Sequence, residues 1–298
     1  INLFGPHAII KYGTPEQKSK WIPRLIIGED KVAFGVTEPD VGLDTTRIKT
    51  RAVRRGSHYE ISGSKVWMST AQIANKILLV TRTSPIEDCA KGTDGITLFY
   101  VDIDPKYVEV REIDKMGRAA VDSNLVFIDG LVVSESDRVG EEGDGFRMLL
   151  DTLNPERILI AAEAIGVGRR ALDKAVNYAN EREVFGRLIG QNQAIQHPLA
   201  ESWMALEAAD LMVWRAAGLY DDEEPCGAEA NAAKFLAAEA ALSACQRAVL
   251  THGGMGYAKE YHVERYLREI MIPVIAPISQ ELIKSFIAEQ VLGQEKSY

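Results

Sequence analysis

Cysteine is scarce in this chain. Its 298 residues hold three, Cys89, Cys226 and Cys245, far apart, odd in number and with no metal-ligand spacing. That usage reads as a reducing compartment. Basic charge is also short: 34 Lys and Arg stand against 43 Asp and Glu, a net charge of -9. An acidic chain argues against a nucleic-acid backbone as partner. No apolar run reads as a membrane span. No repeat period and no targeting segment is visible, and the first residue is Ile1 rather than Met, so an N-terminal piece is expected to be missing. The polar link Gly140-Glu141-Glu142-Gly143-Asp144-Gly145 is not a phosphate loop, for it lacks the preceding strand and the following Lys.

What remains is ordinary globular composition, 46% hydrophobic, in a chain long enough for two domains or one large one. Thr14-Pro15-Glu16-Gln17 reads as a helix N-cap with Pro at the first position and a capping-box Gln. Trp21, Leu25 and Ile26 form that helix's apolar face, and Gly28 ends it. From Lys31 the pattern changes to strands: Val32 to Thr37, Arg47 to Arg54, Tyr59 to Ile61, Val66 to Thr70, Ile77 to Val80, Ile96 to Val101 and Leu125 to Val133. Beyond the glycine-rich link come helical stretches at about 146–152, 155–182, 192–219, 226–252 and 278–291. Pro198 either kinks the third of these or marks its true start. The expected fold is α+β: the end of an N-terminal helical domain (1–30), a central antiparallel β domain (31–140) and a C-terminal four-helix bundle (141–298).

The stretch from Leu153 to Gly168 stands at the seam between the two architectures. Asn154 reads as an N-cap and Pro155 as the first helical residue. Glu156 and Arg157 follow, ahead of an apolar stripe of Ile158, Leu159, Ala161, Ala162 and Ile165. An acid there either complements the helix dipole or does chemistry.

Four local patterns occur in order: Phe34-Gly35-Val36-Thr37-Glu38-Pro39-Asp40-Val41-Gly42, Gly63-Ser64-Lys65-Val66-Trp67-Met68-Ser69, Glu181-Arg182-Glu183-Val184-Phe185-Gly186 and His252-Gly253-Gly254-Met255-Gly256-Tyr257. Together they resemble the acyl-CoA dehydrogenase family of flavoproteins, over nearly the whole chain. The resemblance implies FAD held between the β domain and the bundle. Phe34, Val36, Thr37, Trp67, Met68 and Ser69 are then expected to line the flavin, as apolar wall and polar donors. Otherwise Trp67 is a core aromatic. Arg182, Phe185 and Gln193 are expected to reach the FAD of a neighbouring subunit, with Gly253 and Gly254 letting backbone approach its phosphates and Ser279 nearby. Without the resemblance, Glu181-Arg182 is a solvated helix end.

The sequence departs from that pattern at Leu43, where a small hydroxyl residue is common, and at Leu250, where a Gln often stands. It also has Pro277 where many members carry the catalytic Glu. Relatives of the isovaleryl-CoA and long-chain acyl-CoA dehydrogenase type place a Glu before an Arg on the helix at the seam, as Glu156 precedes Arg157. The resemblance therefore implies Glu156 as the base, with Asn154, Arg157 and Leu43 toward the acyl-CoA substrate; Arg157 is alternatively a structural ion-pair partner. It further implies an electron-transfer flavoprotein as acceptor, a homotetramer built as a dimer of dimers, and a bacterial cytoplasm or mitochondrial matrix. A flavin oxidase or monooxygenase, or a non-catalytic FAD-binding partner subunit, are the alternatives.

Overall fold

The structure is a computed structural model and describes residues 4–297. The chain divides into two compact units, Ile1–Leu153 and Asn154–Tyr298.

In the first unit, α1 (Phe4–Tyr12) and α2 (Pro15–Ile26) precede eight strands: β1 (Val32–Gly35), β2 (Arg51–Arg55), β3 (His58–Ser69), β4 (Lys76–Arg82), β5 (Ile96–Asp102), β6 (Val108–Glu112), β7 (Ser123–Ser134) and β8 (Arg138–Val139). The capping box of α2 is formed in full: Gln17 N–H donates to Thr14 Oγ1 at 3.2 Å and Thr14 N–H to Gln17 Oε1 at 3.0 Å. Helix α1 falls within the helical stretch expected over residues 1–30, although no local start or stop signal marks its bounds. The strands form one sheet in the order β6-β7-β3-β2-β4-β5-β8, with β1 also paired to β4. The sheet is mostly antiparallel, but β1 and β2 each run parallel to β4.

Strands β4 and β5 are buried along nearly their whole length, because alternate side chains feed two cores. Leu78, Val80, Leu98 and Tyr100 pack with α1 and α2, where Trp21 meets Tyr100 at 4.8 Å between ring centroids. Ile77, Leu79, Phe99 and Val101 pack on the opposite face with Tyr59, Ile61, Met68 and Val126. That explains why these strands are continuous apolar runs rather than alternating ones.

Helix α3 spans Gly145–Glu181 without interruption. The sequence alone predicts two helices broken at Asn154, and the continuous α3 corrects that expectation. Asn154 caps no helix and Pro155 is not a first helical residue; both lie inside α3. The turns before Pro155 bury Met148, Leu149 and Thr152, and this packing outweighs the missing Pro155 N–H.

The second unit continues with α3. A two-stranded hairpin of β9 (Glu183–Val184) and β10 (Arg187–Leu188) follows, then α4 (Gln193–Asp221) and α5 (Gly227–His252). Pro198 lies inside α4, near its start. The fourth bundle segment is broken into α6 (Val263–Glu269), α7 (Met271–Ile275), α8 (Gln280–Phe286) and a π-helical turn at Ile287–Val291. By length and composition the stretch Val263–Val291 is apolar enough to cross a membrane, contrary to the expectation that no apolar run reads as a span. The core is alanine-rich: Ala161, Ala164, Ala171 and Ala175 of α3 meet Ala233, Ala237, Ala241 and Ala244 of α5. Small side chains let the helix backbones approach closely. On α3, Ile158, Ala161 and Ile165 are buried as expected, whereas Leu159 and Ala162 are exposed.

Candidate active site

In the first unit the candidate residues gather where β1 runs out against β3. Gly35 makes the close approach possible: a Cβ there would sit 2.9 Å from Leu79 Cδ2 and 3.4 Å from Lys65 Cγ and Met68 Sδ. Past β1 the chain stays alongside β3, with Val66 N–H donating to the Thr37 carbonyl at 2.9 Å. The register between β3 and β7 then shifts, from Lys65 opposite Val126 to Met68 opposite Asn124, one extra residue on β3. This is a β-bulge, which re-aims a side chain. At the bulge Trp67 adopts φ 61° and its indole is 59% exposed, while Met68 is fully buried in the sheet core. Met68 is held there by Asn124 Nδ2, which donates to its carbonyl at 2.9 Å.

Trp67 is thus not the core aromatic of the alternative reading. Phe34 and Val36 are half-buried and pack against the α1–α2 side of the sheet. Thr37 and Ser69 are half-buried, and neither hydroxyl has a partner among the described residues. The same holds for the backbone N–H groups of Val36 and Thr37. A bare indole beside unsatisfied donors fits a flat heteroaromatic ring whose edge carries acceptors, as a flavin does. Leu43 is 63% exposed.

Beneath this edge lies a group that the sequence reading noted only as part of a motif. Lys65 is fully buried. Its Nζ donates to the Val36 carbonyl at 3.0 Å and to Glu38 Oε1 at 2.9 Å. The Glu38 carboxylate also accepts from Lys49 N–H at 2.6 Å and Thr50 N–H at 2.8 Å. Burial alone would raise the Glu38 carboxyl, but Lys65 and these donors outweigh it and hold it below the usual carboxylate range. Burial pulls the Lys65 ammonium down to about 8, against the pull of Glu38. A signal was available in sequence: Lys65 shares the inward phase of β3 with Tyr59 and Ile61.

In the second unit the acidic candidate sits on α3. Glu156 is half-buried and no side chain or backbone group among the described residues hydrogen-bonds its carboxylate. Burial pushes its carboxyl up to about 7, with the Arg157 guanidinium opposing. The helix dipole no longer bears on it, because that effect fades within the first turn and Glu156 lies eleven residues beyond Gly145. Arg157 is buried; its Nη1 donates to Asn154 Oδ1 at 2.8 Å and its Nε has no partner among the described residues. Burial brings Arg157 down to about 10, with Glu156 opposing, so it stays a cation at neutral pH.

Lys234 of α5, also fully buried, donates to the carbonyls of Ile278 at 2.7 Å and Val274 at 3.4 Å, on either side of Pro277. A lysine inside an alanine-rich run is the signal the sequence carries for it. Ser279 accepts from Leu282 N–H at 3.2 Å and so caps α8. Glu163 is exposed, and Glu281 pairs at 4.0 Å with Lys284 on the surface.

The remaining candidates lie at the ends of the bundle helices. Phe185 and Gly186 turn the β9–β10 hairpin, both with positive φ (53° and 75°), as a two-residue hairpin turn requires. That leaves the Phe185 ring wholly exposed. Arg182 and Gln193 flank the hairpin and are exposed. Gly253 and Gly254 follow α5, and a Cβ at either would meet nothing within 4 Å. His252 anchors that end: its ring is buried, Nδ1 lies 2.8 Å from the Ala248 carbonyl, and it stacks on Tyr178 at 4.3 Å.

Comparison with known proteins matches residues 33–131 to the family described as acyl-CoA dehydrogenase, middle domain, and residues 143–292 to acyl-CoA dehydrogenase, C-terminal domain. The chain is 38% identical over 292 residues to acyl-CoA dehydrogenase FadE12 of Mycobacterium tuberculosis, covering 97% of this chain and 74% of that protein. It is 36% identical to the caffeyl-CoA reductase-Etf complex subunit CarC of Acetobacterium woodii, over 94% of this chain and 73% of that one. Among solved structures, butyryl-CoA dehydrogenase from Megasphaera elsdenii superposes with a TM-score of 0.92 at 31% identity, over 98% of this chain and 75% of that chain.

Proposed function

The chain belongs to the acyl-CoA dehydrogenase family, and on that footing we propose that Glu156 removes the α-proton of its acyl-CoA thioester. The protein is a flavin-dependent oxidoreductase whose cofactor is FAD. When bound, FAD, held by Thr37, Trp67 and Ser69, would supply the acceptor for the hydride that leaves the β-carbon. The α-proton passes to the Glu156 carboxylate, the electron pair of the α C–H bond becomes the new π bond, and 2-enoyl-CoA results. The observation that carries this reading is the Glu156 carboxyl itself. It has no hydrogen-bond partner among the described residues and is held up to about 7 by burial. A general base works best with a pKa near the working pH. Arg157, kept in place by Asn154, supplies a fixed positive charge beside it for the substrate. On the flavin side, Thr37 and Ser69 offer donors and Trp67 an apolar face, with Phe34, Val36 and Met68 shaping the strands that carry them.

The same reading gives Arg182, Phe185 and Gln193 to the FAD of a second copy, so that the site is complete only in an oligomer. A fully exposed Phe185 supports it, as do Trp203, Leu211 and Trp214, 59%, 73% and 71% exposed along one face of α4. The assembly is a homotetramer built as a dimer of dimers. An electron-transfer flavoprotein is the acceptor, in keeping with the Etf complex of the CarC relative. A bacterial cytoplasm or mitochondrial matrix is the compartment this implies.

The test is anaerobic stopped-flow mixing of the FAD-loaded protein with an acyl-CoA. The flavin absorbance bleaches, and Glu156→Gln slows that bleaching by about 10²–10⁴-fold while FAD stays bound. Wild-type bleaching in Glu156→Gln sinks the assignment.

A further inference from the structure

The buried pair of Lys65 and Glu38 makes no contact that the chemistry above requires, yet it is built with care. Among the described residues Lys65 is the one cation in contact with the Glu38 carboxylate, and that carboxylate accepts from three donors. The second acceptor of Lys65 is the carbonyl of Val36. The peptide joining Val36 to Thr37 is planar and trans, so its carbonyl and its N–H point in opposite directions. Tying the Val36 carbonyl to a fixed ammonium therefore sets the Thr37 N–H on the side away from Lys65. Next along, the Thr37 carbonyl accepts from Val66, and Glu38 closes a two-way backbone bridge with Val41 at 3.1 and 3.0 Å. Each carbonyl from Val36 to Glu38 is thus engaged, while the N–H groups of Val36 and Thr37 have no partner among the described residues.

We propose that the Lys65–Glu38 pair positions and strengthens the Thr37 N–H as a donor to the flavin edge. This rests on the reading that the flavin lies against Thr37, Trp67 and Ser69. Two effects combine. The salt-bridged ammonium orients the peptide, and it polarises it: a carbonyl that accepts from a cation leaves its own peptide N–H a better donor, most strongly where water is excluded. Glu38 acts one step further back, as the counter-charge that keeps a lysine without water in its ammonium form. Lys65 and Glu38 are positioning residues, and neither touches the cofactor. A stronger donor at a flavin edge favours the reduced, more electron-rich ring, so the pair raises the reduction potential.

The double variant Lys65→Met/Glu38→Gln removes both charges together and leaves an acceptor for the amides of Lys49 and Thr50. Circular dichroism and a cooperative thermal melt establish that it folds. Its apoprotein is expected to bind FAD roughly three- to tenfold more weakly in a fluorescence titration, the scale of one net hydrogen bond. Its bound FAD is expected to have a more negative midpoint potential than wild type. A folded double variant with wild-type FAD affinity and potential overturns the proposal and leaves the pair as a tie between strands. If the double variant fails to fold, Glu38→Gln alone decides: Lys65 loses the charge that keeps it protonated, and the potential shifts in the same direction or the proposal falls. Thr37→Val and Trp67→Phe separate this from the reading beneath it. If those two leave FAD affinity and the flavin spectrum unchanged, the flavin does not lie here. If they change both while the double variant changes neither, only the role of the pair is wrong.

Discussion

The Arg157 guanidinium donates to Asn154 Oδ1 at 2.8 Å, one turn back along the same helix. Asn154 is therefore a holder for a buried cation. Replacing it by Ala strands the Nη1 donor, a loss of a bond to a charged group worth about 1.5–3 kcal/mol. The KM for acyl-CoA is expected to rise about tenfold or more in steady-state assays, with FAD content unchanged. An unaltered KM shows that Arg157 does not serve the substrate.

The pH profile follows from Glu156. A base must be deprotonated, and its carboxyl stands at about 7. The rate of flavin reduction at low acyl-CoA should rise with pH through that value and level off above it. A limb absent from the wild type, or retained in Glu156→Gln, contradicts the role.

The same raised carboxyl carries a cost in stability. Its native value lies above its unfolded one, so the native protein holds the proton more tightly. The stability this lends is present below the ordinary carboxylate range and is lost as pH rises through about 7. Glu156→Gln should thus melt a few degrees above wild type at about pH 8, on the scale of 2–4 °C per kcal/mol, with the gap closing at about pH 5. Calorimetry of both proteins at the two pH values measures it. Equal melting points at the alkaline end mean the carboxyl is not desolvated.

Arg182→Ala should lose FAD on gel filtration, with affinity down roughly tenfold or more for a missing charge-assisted bond to phosphate. Sedimentation of the same variant should still report the oligomer if the apolar face of α4 holds it together. A variant that retains full FAD removes Arg182 from the cofactor site.

Much of this was legible in the residues and some was not. The capping box at Thr14 and the spans of α4 and α5 depend on local rules, and the sequence states those rules directly. Continuous apolar runs identified β4 and β5, because both of their faces are covered. Asn154-Pro155 misled, since a start signal is local while the burial of Met148 and Leu149 that carries α3 through it is tertiary. The bulge that exposes Trp67 depends on register between β3 and β7, which no single strand encodes. Glu156 was found through its neighbour Arg157, yet its raised carboxyl became visible only with burial. Buried roles for Lys65 and Lys234 are not legible in sequence, because a charge in an apolar phase reads as an exception until its acceptors are seen.

Lys234 grips the turn around Pro277 by two main-chain oxygens, those of Val274 and Ile278. Main-chain oxygens are the same whatever side chain a residue carries. The tie between α5 and this turn therefore does not depend on which side chains stand at Val274 and Ile278.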